Sequence, residues 1–397
     1  MTVSETGAGL RPDAGGVRGP TRPLPLISDA TLRDSAHMAA VEFQPEESAR
    51  IARLLVTVGI EKVEVGMISG PNSHDAPHIL AVHEEIGVDR SMSLLMVRDR
   101  DQVAKALDEA ERLGVRSLML SIPTSAEHAA LKLRSPSLKY LLNLLKQAIE
   151  QCKERDMHVT FSGEDAARAE QQRLNTYVAA GFAAGGDRFR LAETVAYLSP
   201  WQMYDKIKPL AEIDGAEIEI HSHNMLGMAV ANSLAAYEAG AAWISATVAG
   251  VGERGGNAPL AEILTSLRVV YDDKRYDLSH LTELTASVLD TRTTGLDRGF
   301  MSGPTTPHAF AYELAGQLMH PSAYETIAPE EVGNERGLRV RTRLTPALVE
   351  WALLGSDTEV DDTAAFTKWL ITRQEEEGAP PLDREAIREH AAEFRLK

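Results

Sequence analysis

One strand-then-helix unit recurs along this chain, and that repetition constrains its fold more than any other feature. PLPLISDATLRD puts a short apolar strand before a polar turn. QPEESARIARLLVTVG then reads as an amphipathic helix, with Pro45 in its first turn, Ile51, Leu54, Leu55 and Val58 on its apolar face and Gly59 at its C-terminal stop. EKVEVG follows as the next strand. With these two, strands are predicted near 26–30, 62–66, 91–97, 116–121, 157–161, 187–191, 217–221 and 243–248, with helical patterns between them. Eight such units point to an α/β fold of the closed (β/α)8 TIM-barrel type, with a mainly helical C-terminal extension. An open dinucleotide-binding sheet is the rival, but no GxGxxG opens the first helix.

The barrel is predicted to occupy residues 26–284. Residues 1–25, rich in Gly, Pro and small polar residues, read as a flexible arm without the apolar core of a secretory signal. From about 285 the pattern becomes irregular, and 285–397 reads as a linker and helical C-terminal region, including TPALVEWALLG and DTAAFTKWLITRQEEEG. A net charge of −17, from 58 acidic and 41 basic residues, opposes nucleic-acid binding and attraction to anionic membranes. No apolar run is long enough to span a bilayer, and the expected location is the cytoplasm. The single cysteine, Cys152, excludes an intrachain disulfide and reads as a buried thiol.

A barrel gathers the residues at its strand ends on one face. Asp29, Arg33 and Asp34 follow strand one; Glu64 lies in strand two; Ser121 and Thr124 follow strand four. Ser162, Glu164 and Asp165 follow strand five, Glu193 and Thr194 strand six, and His221, His223 and Asn224 strand seven. In EIEIHSHNMLG one residue separates the histidines, so an extended chain sends both rings to the same face. With Asp34 they form a mixed nitrogen and oxygen donor set for Mn, Mg, Co or Zn, with positions left for a chelating substrate. A 2-oxo acid chelates through its keto and carboxylate oxygens, and Arg33 would stabilise charge developing on the keto oxygen. Thr194 reads either as a ligand for the substrate carboxylate or as a helix cap. AGVGERGGNAP is a glycine-rich loop after strand eight without the GKS/T ending of a Walker loop.

Together these segments resemble the DRE-TIM metallolyase superfamily, which contains isopropylmalate and homocitrate synthases and, more distantly, 4-hydroxy-2-oxovalerate aldolases. The resemblance is carried by DATLRD, HSHN and GERGGNAP, and it extends from about residue 26 to 336. FSGEDAAR, with Glu164, Asp165 and Arg168, is similar to the strand-five motif of the Claisen-condensing members. HAFAYELAG followed by SAYETIAPEEVGNERG is similar to their linker, whose His and Tyr complete the site, often across a dimer. That match gives Tyr324 the tyrosine role and leaves His320 as a possible substitute for a histidine that otherwise falls near Gln317. Ser35-Ala36-His37 departs from the synthase pattern and resembles the aldolases, where such a histidine is an acid or base; His37 also fits simple hydrogen bonding near Asp34.

The resemblance implies an acyltransferase that condenses acetyl-CoA or a related acyl-CoA with a 2-oxo acid, giving CoA and a 2-alkylmalate-type product from a homodimer. Arg33, His37, Glu164, His320 and Tyr324 are its expected catalytic residues. Arg33, Ser162, Thr194 and Asn257 are assigned to the substrate, Gly252, Glu253 and Arg254 to cofactor binding, and Asp34, His221 and His223 to the metal; Glu253, Arg254 and Asn257 are also placed to link the glycine-rich loop to the metal shell. The alternative is a carbon–carbon lyase acting on a 4-hydroxy-2-oxo acid, which His37 favours.

Overall fold

The apolar runs become strands that meet in sequence order. The computed structural model describes residues 22–35, 41–135, 137–289, 340, 344–356, 360–375 and 379–394. Its strands are β1 (Leu26–Asp29), β2 (Lys62–Met67), β3 (Ser91–Met96), β4 (Ser117–Pro123), β5 (His158–Glu164), β6 (Arg188–Glu193), β7 (Ile218–Ser222) and β8 (Trp243–Ala246). They form a closed parallel barrel, in which β1 returns to β8 with Leu26 opposite Trp243 and Asp29 opposite Ala246. β5 and β6 run past the apolar segments that announce them and end on Glu164 and Glu193. The carboxylates expected just after these strands are therefore their last residues.

Helices α1 (Thr31–Asp34), α2 (Pro45–Val58), α3 (Ala76–Ile86), α4 (Arg100–Arg112), α5 (Ala126–Leu133), α6 (Leu138–Lys153), α7 (Gln171–Ala183), α8 (Pro200–Ala211), α9 (Ala229–Ala239), α10 (Leu260–Tyr271) and α11 (Leu281–Leu289) accompany the strands. α2 shows how local chemistry sets a boundary. Gln44 and Glu47 make a reciprocal cap at its start, Pro45 takes the first helical position, and Gly59 ends it at φ 108°, in the left-handed region. Ile51, Leu55 and Val58 are fully buried, while Leu54 is half-buried. Cys152 is buried on α6, and burial pushes its thiol up to about 12, in keeping with an inert core residue. Leu284 and Val288 of α11 belong to the same core as the barrel.

The barrel interior carries charge as well as apolar side chains. Arg190 in β6 contacts Glu64 of β2 and lies 2.9 Å from Glu219 of β7, with all three buried. Glu64 also receives Arg33 Nε at 3.0 Å, which ties the strand-one turn to this interior layer. A buried charge is tolerated when opposite charges and hydrogen bonds surround it.

In the C-terminal region, α12 (Pro346–Leu353), α13 (Thr363–Gln374) and α14 (Arg384–Phe394) share a separate core that includes Leu348, Val349, Phe366, Leu370 and Ile387. Among the described residues, no helix is long and apolar enough to cross a membrane.

Candidate active site

The predicted ligands converge. One donor atom from each of Asp34, His221 and His223 lies within 4.8 Å of the others, and all three residues are buried. Asp34 ends α1, while the histidines straddle the end of β7, with ring centroids 5.1 Å apart. His221 Nδ1 makes a 3.0 Å hydrogen bond with Ser245 Oγ, and His223 Nδ1 donates to the Gly256 carbonyl at 3.1 Å. Each ring is thus oriented through one nitrogen and keeps Nε2 for the site, as is usual of metal-ligating histidines.

Electrostatics favour the ligand forms of these groups. Burial, with the positive charge of Arg254, brings His223 down to about 4, and burial together with Arg33 lowers His221 well below its ordinary value. Both rings are therefore neutral at pH 7. Burial alone would raise the Asp34 carboxyl, but neighbouring Arg33 overcomes it and holds Asp34 below the usual carboxylate range. A carboxylate and two neutral imidazoles form a donor set that fits a divalent ion. His223 Nε2 also meets Arg254 Nη2 at 2.8 Å. Its one lone pair serves either the guanidinium or a cation, but not both.

The glycine-rich loop packs against this centre. A Cβ on Gly252 would lie 2.0 Å from Asn257 Nδ2 and 2.5 Å from Asp34 Oδ2, so only glycine lets the loop pass so close. Asn257 Nδ2 donates to Asp34 Oδ2 at 2.5 Å and to the Val251 carbonyl at 3.2 Å. Asn257, assigned to the substrate and also expected to link the loop to the metal shell, has its amide on the Asp34 carboxylate and does not line the cavity. Glu253 and Arg254, expected to link the loop to the metal shell, pair with each other beside His223. Gly252 thus packs directly against Asp34 and Asn257.

The cavity is lined by Arg33, Asp34, Ser162, Glu164, Thr194, His221, His223, Glu253 and Arg254, together with Arg190, Ala192, Leu94, Met96, Met119 and Ser121. Thr194 is no helix cap: its hydroxyl accepts the Asp165 N–H at 2.9 Å, and Ser199 caps α8. Thr124 turns away to donate to the Glu164 carbonyl at 2.9 Å. Glu193 also turns aside, accepting from the backbone of Tyr197 and Leu198 and from Asn232. His37, His320 and Tyr324 lie outside the described residues.

Sequence reasoning missed the apolar wall of Leu94, Met96 and Met119, although alternating residues in SMSLLM signal an inward row. It also missed His128 and Lys132, whose side chains meet Glu164 from α5. Their separation of four residues on a helix was the available signal.

Residues 25–288 match the HMGL-like family. The chain belongs to the HMGL-like family. The matched region contains all eight strands and extends into α11. Among the family's similar curated proteins, 2-isopropylmalate synthase 2 of Caldanaerobacter subterraneus subsp. tengcongensis is 33% identical over 313 residues, 78% of this chain and 80% of that one. Homocitrate synthase 1 of a Nostoc species is 33% identical over 79% of this chain and 82% of its own length. 2-Phosphonomethylmalate synthase of Streptomyces rubellomurinus is 31% identical over 83% and 87%. Among solved structures, hydroxymethylglutaryl-CoA lyase from Pseudomonas aeruginosa superposes with a TM-score of 0.59 at 15% identity, covering 68% of this chain and 93% of that one; this is a likeness of fold.

Proposed function

We propose that this protein condenses acetyl-CoA, or a closely related acyl-CoA, with a 2-oxo acid and then hydrolyses the thioester, releasing CoA and a 2-alkylmalate-type diacid. The observation that carries this reading is the single cavity shared by Asp34, His221, His223, Arg33 and Glu164. The similar synthases of 2-isopropylmalate, homocitrate and 2-phosphonomethylmalate support the reaction class.

A divalent ion held by Asp34, His221 and His223 would supply Lewis acidity toward the ketone of the acceptor. Arg33, fixed by Glu64 and Asp34, brings a preorganised positive charge to the cavity for an oxygen that becomes negative. The Ser162 and Thr194 hydroxyls are assigned to the acceptor carboxylate. Glu164 orients the acyl unit or the water that cleaves the thioester. Asn257 and Gly252 position Asp34, and Glu253 with Arg254 forms the wall beside His223. Proton transfer is assigned to His37, His320 and Tyr324 on the strength of the motif resemblance. The reading includes manganese as the first ion to test, a homodimer that brings the linker to the site, and a cytoplasmic setting for the thioester chemistry.

The test is free-thiol release from acetyl-CoA by metal-reconstituted protein against a panel of 2-oxo acids. Release dependent on one acid is expected, and His221→Ala should lose bound metal and at least about a thousandfold in kcat/KM, roughly 4 kcal/mol of transition-state stabilisation. Metal-loaded wild type that releases no thiol with acetyl-CoA or propionyl-CoA would overturn the condensation. Pyruvate formation from 4-hydroxy-2-oxo acids would then identify the lyase alternative.

A further inference from the structure

α5 is capped by Ser125, whose hydroxyl accepts the His128 N–H at 3.0 Å. One helical turn later Lys132 lies on the same side. Both side chains are buried, His128 completely and Lys132 at 4% exposure, and both reach the same carboxylate oxygen at the end of β5. His128 Nδ1 is 2.7 Å and Lys132 Nζ 2.5 Å from Glu164 Oε1. Glu164 Oε2 is buried and has no hydrogen-bond partner among the described residues. Glu164 lines the cavity that contains the metal ligands, whereas His128 and Lys132 stand behind it.

The support continues into the turn after β5. Asp165 adopts φ 56°, in the left-handed region, and its N–H is held by Thr194 Oγ1. His128 Nε2 is 3.7 Å from Asp165 Oδ2, and Arg168 pairs with both Asp165 oxygens at 2.8 and 2.9 Å. Arg168 also reaches Glu127 of α5 at 3.1 Å. Burying a lysine ammonium is unfavourable unless opposite charge and hydrogen bonds compensate for lost water. An arrangement that places it on one oxygen of a cavity carboxylate controls both the charge and the direction of that carboxylate.

We propose that Lys132 is a positioning residue, assisted by His128, that keeps Glu164 anionic with Oε1 committed to α5 and Oε2 left for the reaction. The inference rests on the assignment of Glu164 to the condensation. Burial by itself would push the Glu164 carboxyl up, but the Lys132 charge and the His128 hydrogen bond outweigh it and bring the carboxyl down to about 2. The charged and titratable groups around it are Lys132 and His128 from α5, Asp165 and Arg168 from the following turn, and Arg190 from β6 across the cavity.

The experiment uses full-length, metal-loaded wild type, Lys132→Met, Lys132→Arg and His128→Gln, with thermal midpoint and bound metal measured first. The pH profile of thiol release is then recorded. For Lys132→Met, the acidic limb of kcat should rise by about one pH unit or more, with kcat at pH 7 down about tenfold and KM for the 2-oxo acid within about threefold. Lys132→Arg should recover most of kcat, and His128→Gln should shift the limb in the same direction but less. A folded, metal-loaded Lys132→Met with the wild-type limb overturns the proposal. If Lys132→Met does not fold, His128→Gln carries the same test, and an unmoved limb there overturns the proposal.

Should wild type release no thiol, the condensation reading fails separately. The pair is then measured by thermal midpoints of Lys132→Met, Glu164→Gln and the double variant. Loss of the Lys132→Met effect in the Glu164→Gln background supports the coupling, and additive effects overturn it.

Discussion

At the end of β1, Asp29 is completely buried; one carboxylate oxygen accepts the Thr31 N–H at 2.9 Å, and the other has no hydrogen-bond partner among the described residues. Burial outweighs the bonds from Thr31 and pushes this carboxyl from 3.8 up to about 7. Because the folded value is the higher one, the folded protein binds the extra proton. This contribution to stability is full below about pH 3.8 and is lost as pH rises through about 7. Asp29→Asn retains an acceptor oxygen and removes the ionisation. Its thermal midpoint should exceed wild type by several degrees at pH 8 and by much less at pH 5, at roughly 2–4 °C for each kcal/mol. Equal shifts at both pH values would exclude ionisation as the cause. The convergence of Asp34, His221 and His223 was legible at this scale because the two histidines are two apart at the end of one strand and Asp34 follows the first strand, which the closed barrel brings to within one strand of them. His128 and Lys132 were not, since a helical spacing of four acquires meaning only when Glu164 is known to end the strand beside them.

Between elements, the contact of α7 with β5 is set by missing side chains. A Cβ at Gly181 would lie 2.2 Å from the Phe161 ring, and one at Gly186 would lie 2.5 Å from it. Phe161 is fully buried and packs edge-on against Phe182 with ring centroids 5.1 Å apart, so it has little room to yield. Gly181→Ala should therefore destabilise the protein by about 1–3 kcal/mol through overpacking, despite alanine's better helix propensity. Urea unfolding would check this, and an unchanged midpoint would show that Phe161 moves freely. The helix-strand alternation itself was readable from hydropathy. The ends of β5 and β6 were not, because an apolar run stops at the first polar side chain while the ladder continues. Pro123 remains opposite Glu164, and Glu193 opposite Ser222. The barrel accepts polar groups there because hydrogen bonds and opposite charges surround them.

Across the whole molecule, the net charge of −17 does not describe the barrel interior, where Arg33, Arg188 and Arg190 are buried against carboxylates that include Glu64 and Glu219. Surface composition therefore says little about the local field at the barrel mouth. A divalent ion shared by β7 and the turn after β1 would tie distant parts of the chain together, so its removal should be visible in stability. Chelation is expected to lower the thermal midpoint and abolish turnover, and added manganese should restore both. Binding at a hundredfold excess over Kd contributes about 2.7 kcal/mol. A midpoint indifferent to chelator and manganese would remove the metal assignment.

Because β1 must find β8, with Leu26 meeting Trp243, the first strand waits almost until the end of barrel synthesis for its second neighbour. A nascent chain lacking β8 presents two raw sheet borders to every similar chain nearby. Shortened versions ending before Trp243 should accordingly accumulate as insoluble protein rather than as smaller functional units. The geometry that spares the mature barrel from sticky borders makes its birth the time of greatest exposure to aggregation.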